Sequence, residues 1–311
     1  MISFKELSKS GSGSFTVKDF IKENENILSE DELEYLSSLL EEILETGDTY
    51  VEFAFSLSHL CLIVRVFDLG KYSFIYPIEL SERADSLSAR NDAIEYAVKE
   101  EIEIVFTDVP KSEVPYFIND MRHLDIDAAD PSAETFRVKV KTECELISDI
   151  PEYKEGVLSI SALTEADVPL YARLSRDTET NKYWGYDFRL DTETEVCDTY
   201  FYENANLEFA TGRALTVALR NNASFVGEAI YYAFNGRGGA EIAMRLLPEE
   251  KGKGLGKAFF AMLTEYARKI GLTRLFSTVD QRNTASLAMF GKYMRFLNKD
   301  SGRVKFYLDL F

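Results

Sequence analysis

Histidine and cysteine are scarce: two of the first and three of the second stand among 311 residues. With only His59 and His123 to draw on, a catalytic or metal centre built on imidazole is not expected. Cys61, Cys144 and Cys197 are odd in number, far apart and without Cys-x-x-Cys spacing, which argues against both a disulfide framework and a zinc site. Metal-free chemistry is the expectation. Long apolar runs are missing too. None reaches the roughly 18 residues that a membrane span needs, and Met1 to Ser10 lacks a secretory signal pattern, so the chain is expected to be cytosolic with no membrane partner. Basic residues are outnumbered, 35 Lys and Arg against 53 Asp and Glu, for a net charge of -18. Binding along a nucleic-acid backbone rests on basic patches that release counterions, so nucleic acid is not an expected partner.

What is present suffices for two folded domains, since 46% of the residues are hydrophobic and the chain is long enough for two cores. The acidity is unevenly spread. Residues 1–156 hold 15 Lys and Arg against 34 Asp and Glu, whereas residues 157–311 hold 20 against 19. An acidic first half either draws a cationic amine towards the molecule or simply keeps it in solution.

Periodicity places the elements. In the first half, Phe15 to Leu44 reads as helical with Ser29-x-x-Glu32 as a capping box, followed by strands near Tyr50–Ser56, Leu60–Phe67 and Tyr72–Ile78. Ala89–Glu100 then reads as helix, Glu103–Thr107 as strand, Glu113–Met121 as helix and Glu134–Lys141 as strand. In the second half, Ala162–Arg176 and Thr192–Thr211 read as helices, with Thr164 to Asp167 a capping signal. Ala214–Leu219 and Ser224–Phe234 form a hairpin across Asn221-Asn222, and Ala240–Leu247 is a third strand after a glycine-rich turn. Lys257–Ile270 is helical and closed by Gly271; Thr273–Val279 is a strand, Asn283 caps a second helix, and Lys305–Phe311 is the last strand. The two halves share one order of elements. The first half is therefore expected to be a degenerate copy of the second, the alternative being an unrelated α+β domain.

Lys251-Gly252-Lys253-Gly254-Leu255-Gly256, between an apolar strand and an amphipathic helix, carries the clearest chemistry. Alternating glycines let backbone N–H groups converge on one concavity without Cβ interference, and they open onto a helix start, where orphan amides favour an anion. Lys251, Lys253 and Lys257 add countercharge. A Walker loop would need Gly where Lys251 stands and Ser or Thr where Ala258 stands; a dinucleotide fingerprint would need a third Gly at Lys257. Both readings fail.

The loop resembles instead the Gln/Arg-x-x-Gly-x-Gly/Ala motif of the GNAT acyltransferase superfamily, with Lys251 in the Arg position and Gly254 and Gly256 in the small positions. Pro248 and the Asn283-Thr284-Ala285-Ser286 helix start also match that family, and Ser159 to Phe311 looks like one whole domain of it, similar to the ribosomal-protein N-acetyltransferase branch. The resemblance implies an α/β (α+β) fold with a central, mostly antiparallel mixed sheet flanked by helices, in tandem here: residues 1–150 an acidic copy without a cofactor loop, residues 157–311 the acetyltransferase domain. Between Pro77 and Ala93 the first half has Ile-Glu-Leu-Ser-Glu-Arg-Ala-Asp, without glycine and rich in carboxylates, which would repel a diphosphate.

The implied activity is transfer of an acetyl group from acetyl-CoA, by direct attack, to a primary amine of a small molecule or peptide. Its cofactor set would be Lys251, Gly252, Lys253, Gly254, Leu255, Gly256 and Lys257 at the diphosphate, Met244, Arg245 and Leu246 along the pantetheine arm with the Leu246 amide as oxyanion donor, and Asn283 and Ser286 at the second helix. An ammonium has no lone pair, so a carboxylate must take its proton. Glu241 is the first candidate and Glu228 the second. Relatives place a Tyr at the position of Phe290, which cannot donate a proton, so the acid falls to Tyr293 or Ser286, or to none, since a thiolate leaves readily. Tyr183, Trp184 and Tyr186 in Lys182–Asp187 stand where the family builds its acceptor wall, with Trp184 as plain core the alternative. Two further readings stay open: a non-catalytic acyl-CoA sensor, and a tandem-fold transferase of aminoacyl groups from tRNA.

Overall fold

Backbone hydrogen bonding and burial set two sheets, one in each half of the chain. The structure, a computed structural model, describes residues 4–6, 16–45, 50–68, 71–100, 102–127, 133–184 and 196–311. The chain divides into two units, Met1–Lys141 and Thr142–Phe311.

In the first unit the elements run β1 (Lys5–Glu6), α1 (Val17–Asn24), α2 (Glu30–Glu45), β2 (Tyr50–Ser56), β3 (Cys61–Asp68), β4 (Lys71–Glu79), α3 (Ser86–Lys99), β5 (Val105–Pro110), α4 (Val114–Asp120), β6 (Leu124–Asp127) and β7 (Thr135–Val140). The single long helix expected over Phe15–Leu44 is two helices. Ser29 restarts the chain: its N–H donates to Glu32 Oε2 at 2.8 Å while Glu32 N–H donates to Ser29 Oγ at 3.4 Å, so the reciprocal cap holds as expected. The strands lie in the order β1-β2-β3-β4-β5-β7-β6. Phe53, Leu62 and Val64 pack with Phe20, Leu36 and Leu40 of α1 and α2 on one face. Ala54, Ile63, Phe74 and Phe106 pack with Ala93 and Phe117 of α3 and α4 on the other.

The second unit runs β8 (Tyr153–Glu155), β9 (Leu158–Ala162), α5 (Val168–Arg176), α6 (Thr178–Asn181), α7 (Thr199–Ala210), β10 (Ala214–Asn221), β11 (Ser224–Tyr232), β12 (Gly239–Leu246), α8 (Leu255–Lys269), β13 (Arg274–Asp280), α9 (Thr284–Tyr293), β14 (Arg295–Asp300) and β15 (Arg303–Asp309). The helix expected from Ala162 begins later: Ala162 ends β9, and Thr164 opens a 3-10 turn with the reciprocal Thr164–Asp167 cap before α5. Of the helix expected over Thr192–Thr211, residues 192–195 lie outside the described residues. Ala214 to Leu219 of β10 are buried on both faces, which makes it a central strand. Val217, Ala229 and Ile242 pack under Phe259 and Leu263 of α8, while Ala218 and Phe225 pack under Tyr171 and Phe201 of α5 and α7.

The sheet order is β14-β15-β13-β12-β11-β10-β9-β8. From β9 inward it repeats the first unit's order strand for strand. In both sheets the fourth and fifth strands of the shared order are parallel and their other described neighbours antiparallel, β4 with β5 and β12 with β13. Each unit is thus a mostly antiparallel mixed sheet with helices on both faces, the fold class the sequence implied.

Residues ahead of β9 complete the second unit. Cys144 lies in its core with Ile147, Ile150 and Tyr153 against it. Glu143 is 2% exposed and accepts the N–H of Gly236 at 3.2 Å and that of Gly238 at the turn joining β11 to β12.

Candidate active site

The parallel pairing of β12 with β13 covers only Gly239, Ala240 and Glu241, opposite Arg274, Leu275 and Phe276. Past Glu241 the two strands part. Leu247 N–H donates to Val226 O at 2.9 Å, towards β11, and main-chain groups alternate sides along a strand, so the N–H groups of Leu246 and Met244 point the other way, into the gap. Arg245 does not share this orientation, a correction to its expected place along the gap. Its carbonyl faces β11, where a Cβ on Gly227 would collide with it, and its side chain turns to the α5–α6 face.

At the open end of the gap stands the glycine loop. Gly252 and Gly254 have φ of +78° and +79°, a left-handed backbone that glycine adopts freely. Gly254 is the N-cap of α8 and supplies no side-chain cap. A Cβ at either position would meet nothing within 4 Å, so the concavity lies open, whereas at Gly256 it would touch the Met244 methyl at 3.5 Å. Leu255 is half-buried against the core. Lys257 is exposed. Lys251 donates through Nζ to Thr180 Oγ1 at 2.6 Å, and Lys253 pairs with Glu250 at 3.1 Å. Two of the three lysines therefore have protein partners, Thr180 and Glu250, which the sequence did not flag. The loop fits a diphosphate through its amides, with lysines at its edge.

Asn283 caps α9, its Oδ1 accepting the Ser286 N–H at 3.1 Å. Phe290, on the same helix, is buried and packs against Phe260 of α8 with ring centroids 5.4 Å apart. Tyr293 packs on Phe260 at 5.7 Å. Its hydroxyl is buried without a hydrogen-bond partner among the described residues, a state shared with the Tyr266 hydroxyl. Orphaned buried hydroxyls are costly and call for an explanation.

The two candidate carboxylates differ sharply. Glu228 is 2% exposed and paired with the Arg245 guanidinium directly across the β11–β12 ladder. Arg245 also donates to Asn181, and to Ser175 Oγ at 3.1 Å, and lies over the Trp184 ring at 4.4 Å. Burial, with the Glu228 charge beside it, pushes the Tyr171 hydroxyl well above its ordinary range, so Tyr171 stays neutral. Buried and held by a guanidinium, Glu228 fits a structural anchor better than a proton acceptor. Glu241 sits where the strands part. Tyr232 donates to its Oε2 at 3.0 Å, Thr278 donates to its Oε1 at 3.2 Å, and Lys305 Nζ lies 3.3 Å from the same oxygen. Tyr232 is itself pushed far up by burial and the Glu241 charge, so it remains a proton donor in this contact.

Of the aromatic acceptor wall, Tyr183 and Trp184 are described and Gly185 to Asp187 lie outside the described residues. Arg245 covers the Trp184 face, and Lys182 and Arg282 each lie 5.7 Å from the Tyr183 centroid. Protein cations thus already stand over both described rings of the wall, where an apolar or a cationic acceptor was expected. Among the described residues no cluster of His, Cys, Asp and Glu could hold a metal, and no helix is long and apolar enough to cross a membrane. Cys61 and Cys144 are buried, which pushes both thiols up to about 12. In the first unit the turn matching the glycine loop ends in Asp85, whose carboxylate accepts Ser88 N–H at 3.0 Å and so takes the place at the α3 N-terminus that an anion would use.

No curated protein matches the chain in sequence. Among solved structures it is similar to Mycobacterium smegmatis RimJ in complex with CoA-disulfide, at 18% identity over 50% of this chain and 82% of that one, with a TM-score of 0.42. It is also similar to spermidine N-acetyltransferase from Vibrio cholerae in complex with CoA and spermine, at 14% identity over 50% and 97%, TM-score 0.41. A third is the Salmonella typhimurium acetyl transferase that modifies the N-terminal serine of ribosomal protein L7/L12, at 20% identity over 51% and 99%, TM-score 0.39. The family model described as Acetyltransferase (GNAT) domain matches residues 158–293, from the start of β9 to the end of α9. Residues 158–293 of this chain are accordingly similar to the GNAT acetyltransferase domain.

Proposed function

We propose that the second unit transfers an acetyl group from acetyl-CoA to a primary amine by direct attack, with Glu241 as the base. The observation that carries this reading is the gap between β12 and β13, with amides of Met244 and Leu246 that have no strand partner among the described residues along one side, the open glycine cradle at its mouth and Glu241 at its base. Acetyl-CoA would supply an activated thioester carbonyl there. The amides of Gly252 to Lys257 would hold the diphosphate, and the edge amides of Met244 and Leu246 would orient the arm and polarise the carbonyl oxygen. Glu241, fixed by Tyr232 and Thr278, would take the proton from the amine nitrogen. Glu241 shares a sheet face with Arg245, whereas Tyr293 belongs to the core of the opposite face, under α8 and α9. Where the strands part, both faces can reach one reacting group, and the orphaned Tyr293 hydroxyl is assigned the proton for the leaving sulfur.

A thioester-cleavage assay with a panel of amines tests the reading. Amine-dependent release of free thiol supports it; ligand-induced stabilisation without turnover would support the acyl-CoA sensor instead, the reading left open by a Phe rather than a Tyr at position 290. Retention of tRNA on filters would favour the aminoacyl transferase.

A further inference from the structure

One primary amine already stands beside Glu241. Lys305 projects from β15, where it pairs in register with Thr278 of β13, and its Nζ lies 3.3 Å from Glu241 Oε1. The same ammonium lies over the Phe276 ring, 5.3 Å from the centroid. Its surroundings form a small ammonium cage: a carboxylate in front, an aromatic face beneath, and Thr278 and Tyr232 holding the carboxylate from two sides. The Lys305 side chain is 37% exposed and that of Glu241 is 15% exposed, so the cage opens to solvent along the lysine stem.

We propose that Lys305 is an internal occupant of the acceptor subsite, and that the acceptor is an unbranched –CH2–NH3+ end that displaces it. This rests on the assignment of Glu241 as the base. Both Glu241 oxygens are already engaged, Oε1 by Thr278 and Lys305 and Oε2 by Tyr232, so an incoming ammonium gains most by exchanging with Lys305, which would otherwise repel it. The group that replaces Lys305 therefore matches what Lys305 presents: a slim methylene chain ending in a primary ammonium. An amine on a branched carbon would meet Phe276 and Thr278 with its extra substituent. The lysine keeps the carboxylate neutralised until such an end arrives.

The proposal is tested by calorimetric binding of n-butylammonium and sec-butylammonium to the full chain without acetyl-CoA. Lys305→Ala vacates the stem and leaves Glu241 without a cationic partner, so n-butylammonium should bind at least about tenfold tighter than to the wild type, a gain of about 1.4 kcal/mol, and sec-butylammonium should gain less. Lys305→Met removes the charge but keeps the slot filled, and should gain less than Lys305→Ala. Adding Glu241→Gln to Lys305→Ala should abolish the gain. Equal binding to wild type and Lys305→Ala, equal gains in the Ala and Met variants, or no preference for the unbranched amine would each overturn the proposal. These outcomes are independent of turnover. Wild type that releases no thiol with any amine would instead defeat the acetyltransferase reading while leaving the binding result to stand.

Discussion

Replacing Gly254 by Asp should abolish cofactor-dependent stabilisation while sparing the fold. Gly254 has φ of +79° and a Cβ there meets nothing within 4 Å, so the steric cost is limited to left-handed backbone, about 1 kcal/mol for a residue as tolerant as Asp. An aspartate at the N-cap of α8 returns part of this, roughly 0.3 kcal/mol over glycine, by accepting amides that Gly254 leaves open. The unliganded midpoint should thus move by no more than about 4 °C for a unit of this size. The ligand effect is far larger. At about 100 times Kd, acetyl-CoA adds about 2.7 kcal/mol to wild-type stability, or about 5–10 °C. A carboxylate about 4 Å from a phosphate charge opposes binding by about 4 kcal/mol at an effective dielectric of about 20, which weakens it about a thousandfold. At the same concentration the variant would be about one-tenth occupied and gain only about 0.1 kcal/mol, well under 1 °C. Differential scanning fluorimetry with and without acetyl-CoA measures both quantities. Equal ligand-dependent shifts in the two proteins would refute the placement of the diphosphate, and collapse of the unliganded variant would refute the open space around Gly254.

Glu241→Gln should keep acetyl-CoA stabilisation and slow transfer by about 10² to 10⁴, most at low pH, where the acceptor is held as ammonium; unchanged turnover would leave proton removal to water. Glu228→Gln should instead strip the Arg245 guanidinium of its buried partner and lower stability by about 3–5 kcal/mol in urea titrations, and a loss under about 1 kcal/mol would show that Arg245 finds water. Tyr293→Phe should slow turnover while leaving unliganded stability unchanged or up to about 1 kcal/mol higher, since the hydroxyl it removes is unpaired; a clear loss of stability would mean that the hydroxyl has a partner. In the first unit, Ser81 and the Ser29 N–H hold the Glu32 carboxyl down from an ordinary 4.5 to about 2. Its contribution is therefore complete above about pH 4.5 and lost as pH falls towards 2, so Glu32→Gln should flatten the acid limb of the first unit's stability profile. An unchanged limb would remove Glu32 from that role.

Local chemistry was legible in the sequence and cross-strand chemistry was not. The caps at Ser29, Thr164 and Asn283 each join residues three apart, and the glycine loop is contiguous, so spacing alone exposed them. Glu241 was visible as a carboxylate on the right strand, but Tyr232, Thr278 and Lys305 reach it only through the register of three other strands. The same holds for Glu228, whose pairing with Arg245 depends on β11 and β12 meeting in one register, and for Lys251, which finds Thr180 from another helix. Five strands escaped notice for different reasons. β1 and β8 cover two and three residues, β6 and β9 alternate too briefly to stand out, and every residue of β14 is exposed, so no apolar period marks it. The break between α1 and α2 was hidden because the residues between them are themselves good helix formers apart from Asn26 and Ser29.

Glu143 sets a practical limit on where this polypeptide can be shortened. It plugs the tip of the very hairpin whose second strand carries Glu241, Met244 and Leu246. A fragment trimmed to the family match at 158 would lose that plug, along with Cys144, Ile147, Ile150 and Tyr153 from the floor of the unit. Two glycine amides would be left bare in a buried turn, at a penalty of about 1–3 kcal/mol each. Recombinant versions starting at Thr142 should therefore behave as stable catalysts, whereas those starting at 158 should precipitate or lie idle for reasons unconnected with chemistry.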